Sequence, residues 1–374
     1  MEHELTSDQE FFGETTKKFL EAECPVVAIR ALRDDADGFD RGYWRQGAEL
    51  GWVALLVSED DGGGSISGGG LVDLTLVAYQ FGRHAAPGPL IPSNIVAGAL
   101  SRNGSAEQHD VLGAIVAGEA IATWAHPTSA VEVTATSSGD GFVLNGAVRP
   151  VEAVAQADYL LVPALVDGAP TQFLVPTATA GVSIKPLVGL DLTRRYGAVS
   201  FDGVAVAASA VVGAVGQAAD EIERQERIAT VLLCAESVGA METAFEITLE
   251  WGFNRYSFGR PLVAYQELKH RFADMKMWLE AGHAITDTAA NAVQDDAPTA
   301  AQYVAAAGAF VGDQSTELLQ DCVQIHGGIG LTYDHDLHLY LRRVTVNRSL
   351  HGTPAEHREV LASIAEARAK ESVA

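Results

Sequence analysis

The sequence predicts an α+β fold, with a helical N-terminal region at residues 1–118, a β region at 119–216 and a helical C-terminal region at 217–374 that closes as a four-helix bundle. Two observations predict it. Between 119 and 213 Val, Thr and Gly are enriched and short runs alternate, the pattern of half-buried strands. Beyond 217 the chain turns to Ala, Leu and Glu, with proline only at Pro261, Pro298 and Pro354, the composition of long helices.

At the N-terminus, Ser7-x-x-Glu10 predicts a capping box in which each side chain satisfies the other residue's backbone N–H, followed by a helix through Phe11, Phe12, Phe19 and Leu20. Residues 62–70 read GGGSISGGG. They are too flexible to stay helical and lack the Gly-Lys-Ser/Thr ending of a phosphate loop, so a plain turn is expected, with a helix again over 71–81. In the β region, Val131-Glu132-Val133-Thr134-Ala135-Thr136 alternates as a strand should. Asp140-Gly141 and Asn145-Gly146 both favour the positive φ angles of hairpin turns, with apolar Phe142-Val143-Leu144 between them. Further strands are expected at 159–163, 171–175 and 198–201. The bundle helices are expected at 217–254, 262–293, 298–326 and 333–346, each burying an apolar face against the others.

Composition narrows the function. The 374 residues are 48% hydrophobic, enough for a substantial core. Against 25 basic residues stand 49 acidic ones, and the net charge of −24 argues against nucleic acid or an anionic membrane as partner. A nucleotide could still bind where a few Arg side chains and backbone N–H groups reverse the local potential. The stretch from Met1 to Glu10 is polar and acidic, unlike a secretory signal, and no run of 18 apolar residues is present. Cys24, Cys234 and Cys322 form no CxxC pair, so neither a disulfide framework nor a zinc site is indicated. A cytoplasmic location is expected.

Metal sites are not supported. Glu267-x-x-His270 and Glu280-x-x-His283 match the Glu-x-x-His pattern of di-iron bundles, but both lie on one helix, about 20 Å apart along its axis, and cannot clasp one metal pair. Asp334-His335-Asp336 with His338 lacks a second ligand cluster and reads as polar surface.

Two further segments carry chemistry. In the first, Arg255-Tyr256-Ser257-Phe258-Gly259-Arg260-Pro261 is followed by Gln266 and Ala273-Asp274-Met275; the second is Gln324-Ile325-His326-Gly327-Gly328-Ile329-Gly330-Leu331-Thr332. Arg255 can pair bidentately with a pyrophosphate, and Gly327, Gly328 and Gly330 let backbone N–H groups approach phosphate. Read alone, the same residues also fit a surface salt bridge and a helix-to-helix turn. Together they resemble the acyl-CoA dehydrogenase family, in the Arg…Phe-Gly…Gln…Ala-Asp-Met and Gln-x-x-Gly-Gly-x-Gly-Phe-Thr patterns. The loop at Gly62-Gly63 and the expected Leu144-Asn145-Gly146 hairpin resemble family counterparts too.

The resemblance implies a helical domain, a central β-barrel or sandwich and a four-helix bundle, assembled as a dimer of dimers around FAD. It implies α,β-dehydrogenation of an acyl-CoA, in which a carboxylate takes the α proton, hydride leaves to the flavin and an electron-transfer flavoprotein reoxidises the cofactor. It also shows departures. Where one branch carries its base as the Glu of Tyr-Glu-Gly-Thr, this chain reads Leu350-His351-Gly352-Thr353. Where a second branch places a glutamate ahead of a glycine on the first bundle helix, counting back from Gly239 gives Ala229. Glu226, Glu236 and Glu242 lie nearby on that helix, but at about 100° per residue none is expected to serve that site.

The flavin-facing Thr and Ser of the family fall within Trp124-Ala125-His126-Pro127-Thr128-Ser129-Ala130-Val131, and its Trp-Ile-Thr element becomes Pro150-Val151-Glu152. A Pro and a Glu there are hard to reconcile with packing beside an isoalloxazine ring. By contrast, Arg255, Phe258, Gln266, Gln324, Gly327 and Gly328, whose family counterparts reach the adenine and pyrophosphate of a neighbour's FAD, are present, as is Thr353, which resembles a contact to a chain's own cofactor. The expectation is a helper subunit that completes the FAD site of a catalytic partner. The resemblance is closest to the non-catalytic-looking subunits of actinobacterial heterotetrameric acyl-CoA dehydrogenases, some of which act on CoA esters of steroid side chains. Two alternatives stay open: a competent homotetramer using His351 as base, since an imidazole is suitably poised, and a structural partner that binds no cofactor.

Overall fold

The computed structural model describes residues 5–126 and 131–371. Contacts divide the chain into two compact units, one comprising Met1–Ile29, Thr75–Ala86 and Thr230–Ala374, the other Arg30–Leu74 and Pro87–Ala229. The helix, strand, helix order is as expected. Six helices come first, α1 (Ser7–Glu23), α2 (Val26–Ala31), α3 (Arg41–Glu49), α4 (Gly70–His84), α5 (Leu90–Asn103) and α6 (Ala106–Val116). The capping box of α1 sits one residue earlier than expected: Thr6 N donates to Gln9 Oε1 at 3.0 Å and Gln9 N to Thr6 Oγ1 at 3.2 Å. Gln supplies the same carbonyl oxygen as Glu, and the shift leaves Asp8 and Glu10 in the first turn, where they complement the helix dipole.

The second unit holds the sheet, formed by β1 (Ala122–Trp124), β2 (Thr134–Ser138), β3 (Gly141–Glu152), β4 (Tyr159–Val166), β5 (Ala169–Pro176), β6 (Val182–Leu187), β7 (Tyr196–Ala207) and β8 (Val211–Val212). Its order is β6-β7-β3-β2-β4-β5-β8, with β1 parallel to β4. Between β3 and β5 lie three ladder steps, about 14 Å in a flat sheet. Yet Phe142 on β3 and Phe173 on β5 meet edge to face, ring centroids 5.2 Å apart. The sheet therefore curls over its core, where Leu144, Val148, Leu160, Val162, Val175 and Val199 pack in one cluster.

Both turn expectations are corrected. The β2–β3 loop is Gly139-Asp140, closed by the Ser138–Gly141 pair, with φ 56° at Gly139. Asn145-Gly146 makes no turn; β3 runs through it with a bulge against β7. Asn145 Oδ1 accepts from Gly203 N at 2.9 Å, and a Cβ on Gly146 would stand 2.9 Å from Val133 Cα, so the positive φ here bends a strand. The strand expected from Val131 begins only at Thr134, and Pro127, Thr128, Ser129 and Ala130 lie outside the described residues.

The last part of the chain comprises α7 (Ala219–Asn254), the short strands β9 (Tyr256–Ser257) and β10 (Arg260–Pro261), and α8 (Gln266–Gln294), α9 (Ala300–His326), α10 (Leu337–Asn347) and α11 (Pro354–Glu371). Residues 230–241 of α7 are buried on every side, which marks a core helix. Among the described residues it is the one helix long and apolar enough to cross a membrane, and its apolar window is 89% buried inside the protein. The C-terminal helix α11 goes beyond the four expected, and its His357 ring packs against Gly308 on α9.

Within the first unit, α4 and α7 meet backbone to backbone. A Cβ on Gly82 would stand 1.8 Å from Glu236 O, and one on Gly239 would stand 2.1 Å from Tyr79 O. Neither contact can yield by moving a side chain. Gly239→Ala should destabilise the protein by at least about 2 kcal/mol in urea unfolding. Gly113→Ala, in α6 with nothing within 4 Å of its Cβ, should stabilise it by about 0.5–1 kcal/mol; equal midpoints for the two variants would refute this account of the crossing.

Candidate functional site

The two motifs singled out in the sequence come together at the C-terminal ends of α7 and α9. Arg255 N donates to Trp251 O at 2.8 Å to close α7, and the chain turns at once into the β9–β10 hairpin. Phe258 and Gly259 form its tip, both left-handed, with φ 47° and 81°. A non-glycine residue in that region costs about 1–2 kcal/mol, and the Phe258 side chain is 99% exposed. The hairpin is held from the N-cap of α8: Tyr265 OH donates to Ser257 O at 2.6 Å, and the Arg260 guanidinium lies 4.0 Å from the Tyr265 ring.

Opposite, α9 ends at Gly327, with φ 68°, and passes into a 3-10 turn through Leu331. The Trp251 and His326 rings stack at 5.1 Å and 20°, which joins the end of α7 to the end of α9. Arg255 lies 5.8 Å from the same indole. His326 Nδ1 is 2.8 Å from Cys322 O, and His335 meets the His326 ring edge to face at 4.4 Å. Burial, chiefly, pulls the His326 pKa below the ordinary imidazole value, so the ring is neutral near pH 7 and Nδ1 is the donor to that carbonyl. In the sequence His326 stands only inside a motif, and Trp251 belongs to none. The signal was its place one helical turn before Arg255.

Arg255, Gln266, Gln324, Gly327 and Gly328 are all exposed. The surface salt bridge that might have explained Arg255 is not formed among the described residues; its contact is the indole. Gly327 needs its positive φ, but Gly328 does not, and a Cβ there would meet nothing within 4 Å. The chain's own packing thus gives no reason for glycine at 328, whereas close approach by an outside phosphate or backbone would. These groups fit the nucleotide part of FAD: a planar guanidinium, exposed amides and open backbone N–H groups.

The positions expected for a catalytic carboxylate are filled otherwise. His351 is half-buried in the turn between α10 and α11, with φ 52°. Ala229 is fully buried in α7. Glu226 lies 2.7 Å from His126 Nε2, and that imidazole stacks on Trp124 at 4.3 Å. Glu236 is a buried partner of the Arg343 guanidinium and also accepts from Asn347 Nδ2 at 3.2 Å. Glu242 takes the Tyr79 hydroxyl and stands 3.2 Å from His283 Nε2 and 3.7 Å from Arg83. Hydrogen bonding from His283, then from Tyr79, holds Glu242 down at about 2 against the opposing effect of burial. Each of the three carboxylates therefore has a structural occupation.

Two of the positions that the resemblance sets beside a chain's own cofactor, Glu152 and Thr353, make contacts within the chain. Glu152 pairs with the buried Arg194 at 3.4 Å rather than presenting donors or a flat face. Thr353 is the cap of α11: its hydroxyl and N–H both donate to Glu356 Oε2, at 2.8 and 2.7 Å. Burial pushes the Cys234 and Cys322 thiols up to about 12, which leaves no thiolate nucleophile there. Among the described residues no group of three His, Cys, Asp or Glu side chains could hold a metal; Glu280 pairs with Lys276 at 2.5 Å and His283 with Glu242.

Because the Glu242 carboxyl is held low when folded, its contribution to stability is full above about pH 4.5, the usual carboxylate value, and is lost as pH falls toward about 2. The Tm gap between the parent and Glu242→Gln should narrow as pH falls from about 4.5 toward about 2. A gap that widens over that range would contradict the assignment.

Two stretches of the chain match known family models. Residues 6–119 match the model for the acyl-CoA dehydrogenase N-terminal domain and residues 218–365 that for the C-terminal domain. The acyl-CoA dehydrogenase IpdE2 of Mycolicibacterium smegmatis is 27% identical over 353 residues, 94% of this chain and 97% of the relative. The ChsE4-ChsE5 complex from Mycobacterium tuberculosis contains a chain that superposes with a TM-score of 0.88 at 27% identity, covering 98% of this chain and 99% of that one. The Tcur3481-Tcur3483 steroid ACAD gives 0.87 at 27% identity, covering 96% and 98%.

Proposed function

This chain belongs to the acyl-CoA dehydrogenase family, whose members are FAD-dependent oxidoreductases, and from that premise we propose that it is a helper subunit completing the FAD site of a catalytic partner in a heterotetramer. One contrast carries the reading. The groups that suit a neighbour's nucleotide are exposed and uncommitted to other charged groups, while the positions that would hold the chain's own base carry His351 and the fully buried Ala229.

In this assembly Arg255 pairs with the pyrophosphate, the Gly327–Gly328 turn brings backbone N–H groups to it, Gln266 and Gln324 supply side-chain amides, and Phe258 covers the adenine. When bound, FAD supplies the acceptor for the hydride that leaves the acyl-CoA. The α proton goes to a base on the partner. An electron-transferring flavoprotein serves as electron acceptor, and the likeness to a steroid ACAD supports CoA esters of steroid side chains as the substrate class.

A second reading has its own observation. His351 is one of the non-glycine residues held at positive φ, and backbone strain of this kind concentrates at functional sites. On that reading the chain is a competent homotetramer with His351 as base.

The purified complex with a candidate catalytic chain should contain one FAD per two chains. Arg255→Ala should lower its FAD occupancy at least tenfold, and Gly328→Ala should lower it while leaving Tm within about 2 °C, as for a surface substitution. Full occupancy in Arg255→Ala would mean that the chain contributes nothing to the cofactor site and is a structural partner. Robust acyl-CoA turnover by the homomer, abolished in His351→Ala, would establish the second reading instead.

A further inference from the structure

The Trp251–His326 stack has no part in the roles assigned so far, yet it is the contact that joins the two motifs. Trp251 lies one turn before Arg255, receives the Arg255 N–H at its carbonyl, and has the guanidinium 5.8 Å from its ring. His326 immediately precedes Gly327 and is locked by the contact of Nδ1 with Cys322 O and by the edge of His335. We propose that Trp251 and His326 are positioning residues, a flat pair that holds the Arg255 hairpin at fixed separation from the Gly327 turn so that both meet one ligand as a single surface.

Two buried atoms say what the pair is used for. Trp251 Nε1 and His326 Nε2 have no hydrogen-bond partner among the described residues. An unsatisfied buried polar atom costs about 1–3 kcal/mol. What the site uses is therefore chiefly the flat shape of the rings, since Trp251 Nε1 and His326 Nε2 contribute no bond and His326 Nδ1 serves only to hold its own ring on Cys322 O. Arg255 gains from that shape in a second way: a guanidinium is weakly hydrated and rests on an aromatic surface without surrendering its five N–H donors. The charge is oriented while its hydrogen-bonding capacity stays free for an anion.

This separates positioning from ordinary packing. If Trp251 only filled space, a leucine would serve. If it positions, phenylalanine serves and leucine fails, because only the ring stacks on His326. In its consequence for the cofactor the proposal rests on the shared-site reading, but the positioning itself can be read in the isolated chain. Trypsin cuts after Arg255, and the rate of cutting follows the opening of the hairpin when closing is fast.

Trp251→Leu and His326→Ala should be cut after Arg255 at least tenfold faster than the parent, whereas Trp251→Phe and His326→Phe should stay within about twofold. Urea midpoints measured in parallel exclude global unfolding, and Trp251→Phe should be no less stable than the parent because it deletes an unpaired nitrogen. Cutting of Trp251→Leu and His326→Ala at the parental rate would overturn the proposal. In the partner complex, Trp251→Leu should lose FAD along with Arg255→Ala while Trp251→Phe retains it. If Arg255→Ala keeps its FAD, the shared-site reading falls, and the proteolysis still decides whether the stack holds the hairpin.

Discussion

The packing of the first unit depends on the crossing of α4 and α7, where two helices touch through their backbones. Gly82 lies on the carbonyl of Glu236 and Gly239 on the carbonyl of Tyr79, each too close to admit a Cβ. The approach brings the α4 end within reach of Arg343, whose guanidinium pairs with the buried Glu236 carboxylate and donates to Ala86 O at 3.0 Å. One arginine thus satisfies both a buried charge and the carbonyls of Ala85 and Ala86, which follow the end of α4. Removing one member of such a pair costs about 3–5 kcal/mol, because the other charge stays buried.

That arrangement commits an acidic residue near Ala229 to packing. Glu236 is one turn from Gly239 and cannot leave Arg343 and Asn347 without exposing an uncompensated cation in the core. Glu242, on the outer side of the crossing, is held by Tyr79, His283 and Arg83, and its low pKa reflects donors that favour the charged form. A general base needs the opposite: a carboxylate raised toward neutrality and free to reach substrate. On α7, Glu236 and Glu242 are committed to such partners.

The ends of α7 and α9 follow a different economy. There the chain tolerates an exposed phenylalanine in left-handed backbone, a guanidinium with no carboxylate among the described residues, a glycine that no internal contact requires, and two buried nitrogens without partners. Each is a small cost to the isolated chain. Together they are intelligible as one surface shaped for something outside it, and the Trp251–His326 stack is the rigid support beneath that surface.

Much of this was legible in the sequence. The Val- and Thr-rich stretch and the long Ala-rich stretches imposed strands and helices wherever periodicity ran long enough, and the Arg255 and Gly327 motifs announced their chemistry through residue type and spacing. The sequence also determined the absence of glutamate at 229 and 351. Only the tertiary structure decided what short-range signals left degenerate. Asn145-Gly146 bulges instead of turning because β7 lies alongside to receive Asn145. Thr353 caps a helix because Glu356 follows within reach. Glu236 and Arg343 form a buried pair though their helices are far apart in the chain. Trp251 and His326 were visible as letters, but stacking is a relation between residues distant in sequence, and no local pattern encodes which ring will face which.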